Sequence, residues 1–259
     1  MVHLTSHLVI PDAHAHYQHS NVRAEWLSAL IHDLKPDVVI NIGDGADMPS
    51  LSGYDKGRKS FIGRTYRADV DAHLDFQDRL WSRLRRYKKR LPRSVYCIGN
   101  HEHRISRAID LQPELEGAVS LDDLELDYHY DEVVHYEGGT PGTIDIDGIQ
   151  YAHYFVSGVM GRAIGGEHQA TSLLTKRFTS STCGHSHLAD FSVRTNGKGR
   201  KIMGAVCGVY QDYECDWAGV TQDLWWKGVL FKRNVENGVY DPEFISLNTI
   251  KKAYKNHVW

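Results

Sequence analysis

The chain has 259 residues, 41% of them hydrophobic, and carries 30 Lys and Arg against 33 Asp and Glu for a net charge of −3. That length fills one sizeable core and predicts a single domain over 1–259, while the charge excludes a globally basic nucleic-acid binder. Four cysteines, Cys97, Cys183, Cys207 and Cys215, form no CxxC pair and no disulfide framework, which fits a reducing compartment.

No apolar run approaches the roughly 18 residues needed to span a bilayer. The opening MVHLTSHLVIPD lacks the basic start and apolar length of a signal peptide. A cytoplasmic, soluble protein with no membrane partner is expected.

In chain order, His7–Ile10 is a short apolar run stopped by Pro11-Asp12, as in a buried strand. Trp26, Leu27, Leu30, Ile31 and Leu34 then repeat at helical spacing over about 21–35, and Pro36 closes that helix. Residues 37–42 form a second apolar run that enters Gly43-Asp44. From Met48 to Arg67 the pattern is irregular and basic, with Gly53, Gly57 and Gly63. A long amphipathic helix follows over about 68–91, its stripe running through Leu74, Leu80, Trp81, Leu84, Tyr87 and Leu91. Together 48–92 read as a loop–helix insert.

A third strand, 94–98, runs into Gly99-Asn100-His101-Glu102. Beyond about residue 140 the pattern turns β-rich. Segments 143–146 and 149–153 flank Asp147-Gly148, a tight-turn dipeptide, and further apolar runs fall at 201–210 and 227–231. Gly158–Gly166 has no P-loop ending and reads as a flexible loop. An αβα opening followed by a β-rich half predicts an α/β fold with two sheets packed together and helices outside.

Sixteen histidines are an unusually high count, and their placement matters more than their number. Asp12 and His14 follow the first strand, Asp44 the second, Asn100 and His101 the third. His153 ends the predicted hairpin, and His185 and His187 follow the short segment 181–183. Ligands of open α/β sheets bind outside the carboxyl ends of strands, so five segments deliver Asp, Asn or His to one place. Two cations there would grip a phosphate from two sides and hold a bridging hydroxide for in-line attack. A carboxylate such as Asp44 can share its charge between both ions. Mixed imidazole and oxygen ligands suit Mn, Fe, Zn, Ni or Co better than Mg or Ca.

The ordered series D-x-H, G-D, G-N-H-E, a lone His and G-H-x-H, running from Asp12 to His187, resembles the calcineurin-like metallophosphoesterase superfamily. The resemblance implies a four-layer αββα sandwich, two mixed β-sheets flanked by helices. It implies that Asp12, His14 and His187 hold one metal, that Asn100, His153 and His185 hold the other, and that Asp44 bridges both. His101 would bind no metal; it would stabilise the phosphate and protonate the leaving group. Glu102 or Asp12 would orient a ligand or His101 from behind. The implied activity is two-metal-dependent hydrolysis of phosphate esters, with manganese the ion to expect in vitro. The chain departs from the pattern at Ala15-His16, where many members have Gly after the first motif.

Other features have competing readings. Arg104 is a bidentate phosphate donor or a surface salt-bridge partner. The basic run 83–93 holds seven Lys or Arg and is a solvated helix face or a polyanion track. Lys56, Arg58, Lys59, Arg64 and Arg67 lie on the segment leaving Asp44 and are the better candidates for substrate contact. Tyr210, Tyr213, Trp217, Trp225 and Trp226 stack a base or fill the core. His153 is preferred as ligand over His168 because an apolar strand delivers it, and spare histidines such as His3, His7, His19, His73, His129 and His257 read as packed or solvated. The basic segment and aromatics favour a phosphodiesterase acting on nucleotides or nucleic acid. A phosphomonoesterase or protein phosphatase shares the same metal site, and a non-catalytic scaffold shares the fold.

Overall fold

Buried runs of four to six residues, each between an amphipathic helix and a polar turn, build the first half of the chain as β–α–β units. The computed structural model describes residues 4–87, 90–215 and 218–256; Lys88, Lys89 and Trp217, with His3 and His257, lie outside them. Strand β1 (Thr5–Ile10) leads through helix α1 (Val22–Leu34) to β2 (Val38–Asn41), and α2 (Tyr66–Tyr87) leads to β3 (Arg93–Cys97). Helices α3 (His103–Leu111) and α4 (Leu126–His129) precede β4 (Glu132–Val134). Helix α1 stops where Lys35 turns left-handed at φ 51° and its amide bonds Ile31 O at 3.0 Å; Pro36 then prevents continuation.

The second half contains β5 (Ile144–Ile146), β6 (Ile149–Tyr151), β7 (Val156–Ser157), β8 (Arg162–Ala163), α5 (Gln169–Arg177) and β9 (Ser181–Cys183). It ends with β10 (Ala189–Thr195), β11 (Lys201–Cys207), β12 (Gly228–Glu236), β13 (Val239–Ser246) and α6 (Leu247–Tyr254). One sheet has the order β13-β12-β1-β2-β3-β4, the other β10-β11-β9-β6-β5. β1 to β4 run parallel, and β12 and β13 join antiparallel. In the second sheet β6, β9 and β11 are parallel, flanked by antiparallel β5 and β10. Both sheets are therefore mixed.

Successive side chains of a strand point to opposite faces, and this sorts the core into layers. Val9, Ile40 and Val95 face inward against Tyr151, Ala205 and Met203 of the second sheet. Leu8, Val39 and Tyr96 face outward against Leu27 and Ile31 of α1 and Phe76 and Trp81 of α2. On the far side, Ala170 and Leu173 of α5 pack on Cys183 and Val206. The result is helix, sheet, sheet, helix, as the motif series implied. No helix among the described residues is long and apolar enough to cross a membrane.

Gly158–Gly166, expected as a loop, instead contributes to a two-stranded hairpin in which Val156 pairs with Ala163 and Ser157 with Arg162. The apolar run expected to end at Phe231 continues as β12 to Glu236, because Lys232 is buried rather than solvent-facing.

Candidate metal centre

Register sets the site. Ile10 pairs with Asn41 and Asn41 with Tyr96, so β1, β2 and β3 end at one level; Tyr151 pairs with Thr182 and Val206 with Cys183, so β6, β9 and β11 do the same. The turns after these ends carry Asp12 and His14, Asp44, Asn100 and His101, His153, and His185 and His187. Two of the ligand-capable groups among the described residues are made wholly of these side chains, Asp12–His14–His187 and Asp44–His153–His185. His153 lies two residues beyond the end of β6, and His168 is exposed ahead of α5.

The contacts have a common character. His153 Nδ1 lies 3.0 Å from Ile42 O and donates to it, which leaves Nε2 as a lone pair in the neutral ring. That Nε2 faces Asp44 Oδ2 at 3.2 Å, Asn100 Oδ1 at 2.9 Å and His185 Nδ1 at 3.2 Å. One nitrogen cannot satisfy three such atoms. In the other group, His14 Nε2 and His187 Nε2 are 3.2 Å apart, and Asp12 Oδ2 is 3.1 Å from His187 Nε2. Asp12 Oδ1 is buried with no hydrogen-bond partner among the described residues. Electron-rich atoms converging away from water call for a cation, and these donors could hold metal ions.

Electrostatics agree. Burial lowers the affinity of the His153 ring for a proton, but Asp44 and Asp12 overcome it and raise the ring to about 9. Burial pushes His185 down to about 4, with His153 adding to the effect. Asp44 is held well below the ordinary carboxylate range, because His101 and His153 outweigh the burial that opposes it.

The backbone is strained where these side chains sit. Asp12, His14, Asp44, His185 and His187 all have positive φ, between 32° and 70°. Such a conformation costs about 1–3 kcal/mol per residue and persists where the surroundings enforce it, commonly at functional sites. Gly99 is required beside them: a Cβ there would overlap the Asp44 carboxylate and amide.

Glu102 explains how Asp44 is held. Its carboxylate accepts from the amides of Gly99 at 2.8 Å, Asp44 at 3.0 Å and Ala46 at 2.9 Å, and from Tyr96 OH at 2.8 Å. It therefore ties the turn after β2 to the turn after β3, and its contacts are with that backbone rather than with His101. Glu102→Ala leaves four buried donors unpaired, at about 1–3 kcal/mol each. A fall of at least about 3 kcal/mol in unfolding free energy is expected by urea denaturation; an unchanged midpoint would remove this bracing role.

Asp47 was not singled out by sequence. Its Oδ1 lies 3.1 Å from His101 Nδ1 and 3.3 Å from His14 Nδ1, and its carbonyl accepts from His101 Nδ1 at 2.7 Å. Both rings turn Nδ1 to Asp47 and Nε2 to the centre, so Asp47 can orient two imidazoles, and the three residues together form a third ligand-capable group. Burial opposes ionisation of Asp47, but the bonds to His101 and His14 keep it well below the usual carboxylate range. The available signal was the second Asp in Gly43-Asp44-Gly45-Ala46-Asp47.

The chain matches no protein-family model and no curated protein. Among solved structures it is similar to one described as the crystal structure of TT1561 of Thermus thermophilus, at 11% identity and a TM-score of 0.37, covering 93% of this chain and 99% of that one. A likeness of that size carries no argument about the site, which stands on its own contacts.

The Arg104 guanidinium is turned toward the site. Its NH1 donates to Asp47 O at 2.9 Å and Met48 O at 3.2 Å, and its NH2 to His101 Nε2 at 2.9 Å. At the departure from the family pattern, Ala15 is buried, bonds Gly45 O at 2.7 Å and bridges to Ala46, which leaves little space for a larger side chain. His16 stays at the rim, its Nε2 3.8 Å from Asp47 Oδ2.

The aromatics divide. Tyr210 is core, Trp226 packs on Phe244, Tyr213 donates to His14 O at 2.6 Å and stacks on His19, and Trp225 lies edge-on against His187 at 4.3 Å between ring centres.

Proposed function

We infer that the chain is a two-metal-dependent hydrolase of phosphate esters that prefers diesters. The observation that carries this reading is the convergence of Asp44, Asn100 and His185 on His153 Nε2, beside the Asp12–His14–His187 group. Asp12, His14 and His187 would hold one ion and Asn100, His153 and His185 the other, with Asp44 shared. Two divalent ions there supply Lewis-acid charge and an activated water. Manganese is the first to test, with Fe, Zn, Ni and Co admitted by the same donors.

His101 is oriented for proton work. Its Nδ1–H is committed to Asp47, so Nε2, 3.7 Å from Asp44 Oδ2, is the atom that would carry a proton to the leaving oxygen. Arg104 covers that Nε2; an entering phosphate would draw the guanidinium to itself, a charge-assisted contact that frees Nε2. The Asn100 side chain reaches the same space. Diester preference rests on the basic segment 56–67, which leaves the turn that carries Asp44 and Asp47.

Matched nitrophenyl phosphate mono- and diesters, with Mn²⁺ or chelator, test the reading. Metal-dependent cleavage favouring the diester is expected. His101→Ala should keep both ions and lose about 10²–10⁴-fold in turnover. Preference for the monoester would make the chain a phosphatase, and no cleavage with any of these metals would favour a binding scaffold.

A further inference from the structure

Two basic segments stand out in the sequence, and the fold treats them differently. On α2, Arg79 pairs with Glu25 and Asp75, Arg83 with Glu25, and Arg85 donates to Tyr128 O. Those cations are engaged with their own surface, the solvated-face reading. In the loop before α2, Lys56, Arg58 and Lys59 are exposed, and their side chains make no hydrogen bond or ion pair among the described residues. From Tyr54 to Arg67 there are five cations and one carboxylate, Asp55, in a chain of net charge −3. Asp55 is already taken by Arg64 at 2.7 Å.

The loop is anchored at the metal centre. It leaves the Asp47–Met48 backbone that Arg104 grips, and Arg64 returns to donate to Pro49 O at 3.0 Å. Ser50 N is held by Asp69 of α2 at 2.9 Å. Between these ties the tip stands in open space: a Cβ on Gly53, Gly57 or Gly63 would meet nothing within 4 Å. Tyr54 is 85% exposed and Ile62 80% exposed on the same tip. Unpaired cations beside an uncovered aromatic ring are the combination that tracks a phosphodiester backbone and stacks an unpaired base.

We propose that the 54–67 loop is a polynucleotide-binding arm that guides a single strand of nucleic acid, through Lys56, Arg58, Lys59 and Tyr54, into the metal centre. This rests on the phosphodiesterase reading for its consequence, though not for the binding itself. A single strand is favoured over a duplex because Tyr54 needs a base face that a duplex does not offer.

Binding is measured by fluorescence anisotropy with labelled oligothymidylate and oligouridylate of about a dozen nucleotides, within the span such sites cover, in chelator so that nothing is cleaved. The wild type should bind at low salt with affinity falling steeply as salt rises. The triple variant Lys56→Gln, Arg58→Gln, Lys59→Gln should lower the log–log salt slope by about 2, at about 0.7 for each single-strand phosphate no longer neutralised. Tyr54→Ala should weaken binding by about 5–100-fold without changing that slope.

A triple variant with wild-type affinity and slope overturns the arm, as does a wild type that binds neither oligomer at low salt. Tighter binding of a duplex of the same length overturns the single-strand assignment, and the two oligomers distinguish DNA from RNA preference. Oligomer binding without diester cleavage would instead leave the arm standing and sink the hydrolase reading.

Discussion

Asp44→Asn is expected to lose bound metal and hydrolytic activity together. Asp44 Oδ1 accepts the His101 amide at 2.9 Å, while Oδ2 faces His153 Nε2 at 3.2 Å. An asparagine keeps the first bond and presents its NH2 to the ring nitrogen, replacing a ligand oxygen with a donor. Removing a group that merely orients a ligand costs about 10–100-fold in metal affinity, and removing a shared ligand should cost at least about 100-fold. The metal-free protein should weaken as well, because Asp44 sits well below and His153 above its ordinary value in the fold, an attraction that the substitution removes. Melting separates the two effects. Mn²⁺ should raise the wild-type melting temperature above its own value in chelator, as any ligand of the native state does, and leave Asp44→Asn at its chelator value, whatever the difference between the two metal-free proteins. Two ions retained through dialysis, with wild-type turnover, would remove Asp44 from its assigned place.

Much of this cluster of side chains was legible because its members follow strands that are easy to read. Val38–Ile42 before Gly43-Asp44 and Val95–Ile98 before Gly99-Asn100 are apolar runs with abrupt polar ends, and such ends fall at the edge of a parallel sheet. The grouping of Asp12 with His187, 175 residues apart in the chain, followed from the motif order and not from local pattern. Strand order could not be read, since β12 lies beside β1 only through non-local pairing. Asp47 and Arg104 were harder for a different reason. Their significance lies in which atoms they face, His101 Nδ1 and Nε2, and that depends on rotamers fixed by packing. The basic segments show the same limit: composition marked both, but only contacts separate the paired cations of α2 from the open ones of the loop.

Lys232 is the plainest case of a residue whose pattern misleads, and it sets the second large effect. It follows Phe231 in β12, just past the apolar run 227–231, yet it is fully buried between the sheets. Its Nζ donates to Thr182 Oγ1 at 2.5 Å and Tyr151 OH at 3.1 Å, and sits 4.4 Å from the centres of the Tyr151 and Tyr240 rings. Tyr151 OH in turn meets His7 Nδ1 at 2.7 Å, and His7 Nε2 meets Asp147 at 2.9 Å. Among the described residues no carboxylate reaches the amine itself. Burial therefore pushes Lys232 down from 10.5 to about 7, against a small opposing pull from Cys207.

The sign follows from proton binding. Between about 7 and 10.5 the unfolded chain holds a proton on this lysine that the folded chain has released, so stability rises with pH through that window and the gain is lost as pH falls to 7. From about pH 7 to 8.5 this group should add about 1.5 kcal/mol. That range overlaps the windows in which His153, raised to about 9, and the buried thiols, raised above 9.0, act in the opposite direction, and they do so equally in a Lys232 variant. It also lies above the window of His7, which burial lowers to about 4. Urea unfolding at about pH 7 and 8.5 measures the slope against Lys232→Met, which keeps the volume and removes the titrating amine. Between the two pH values the wild type should gain about 1.5 kcal/mol relative to the variant, whatever the variant's absolute stability after giving up the bonds to Tyr151 and Thr182. Equal slopes in the two proteins would mean that Lys232 stays charged inside the sandwich, compensated by its hydroxyl and aromatic neighbours.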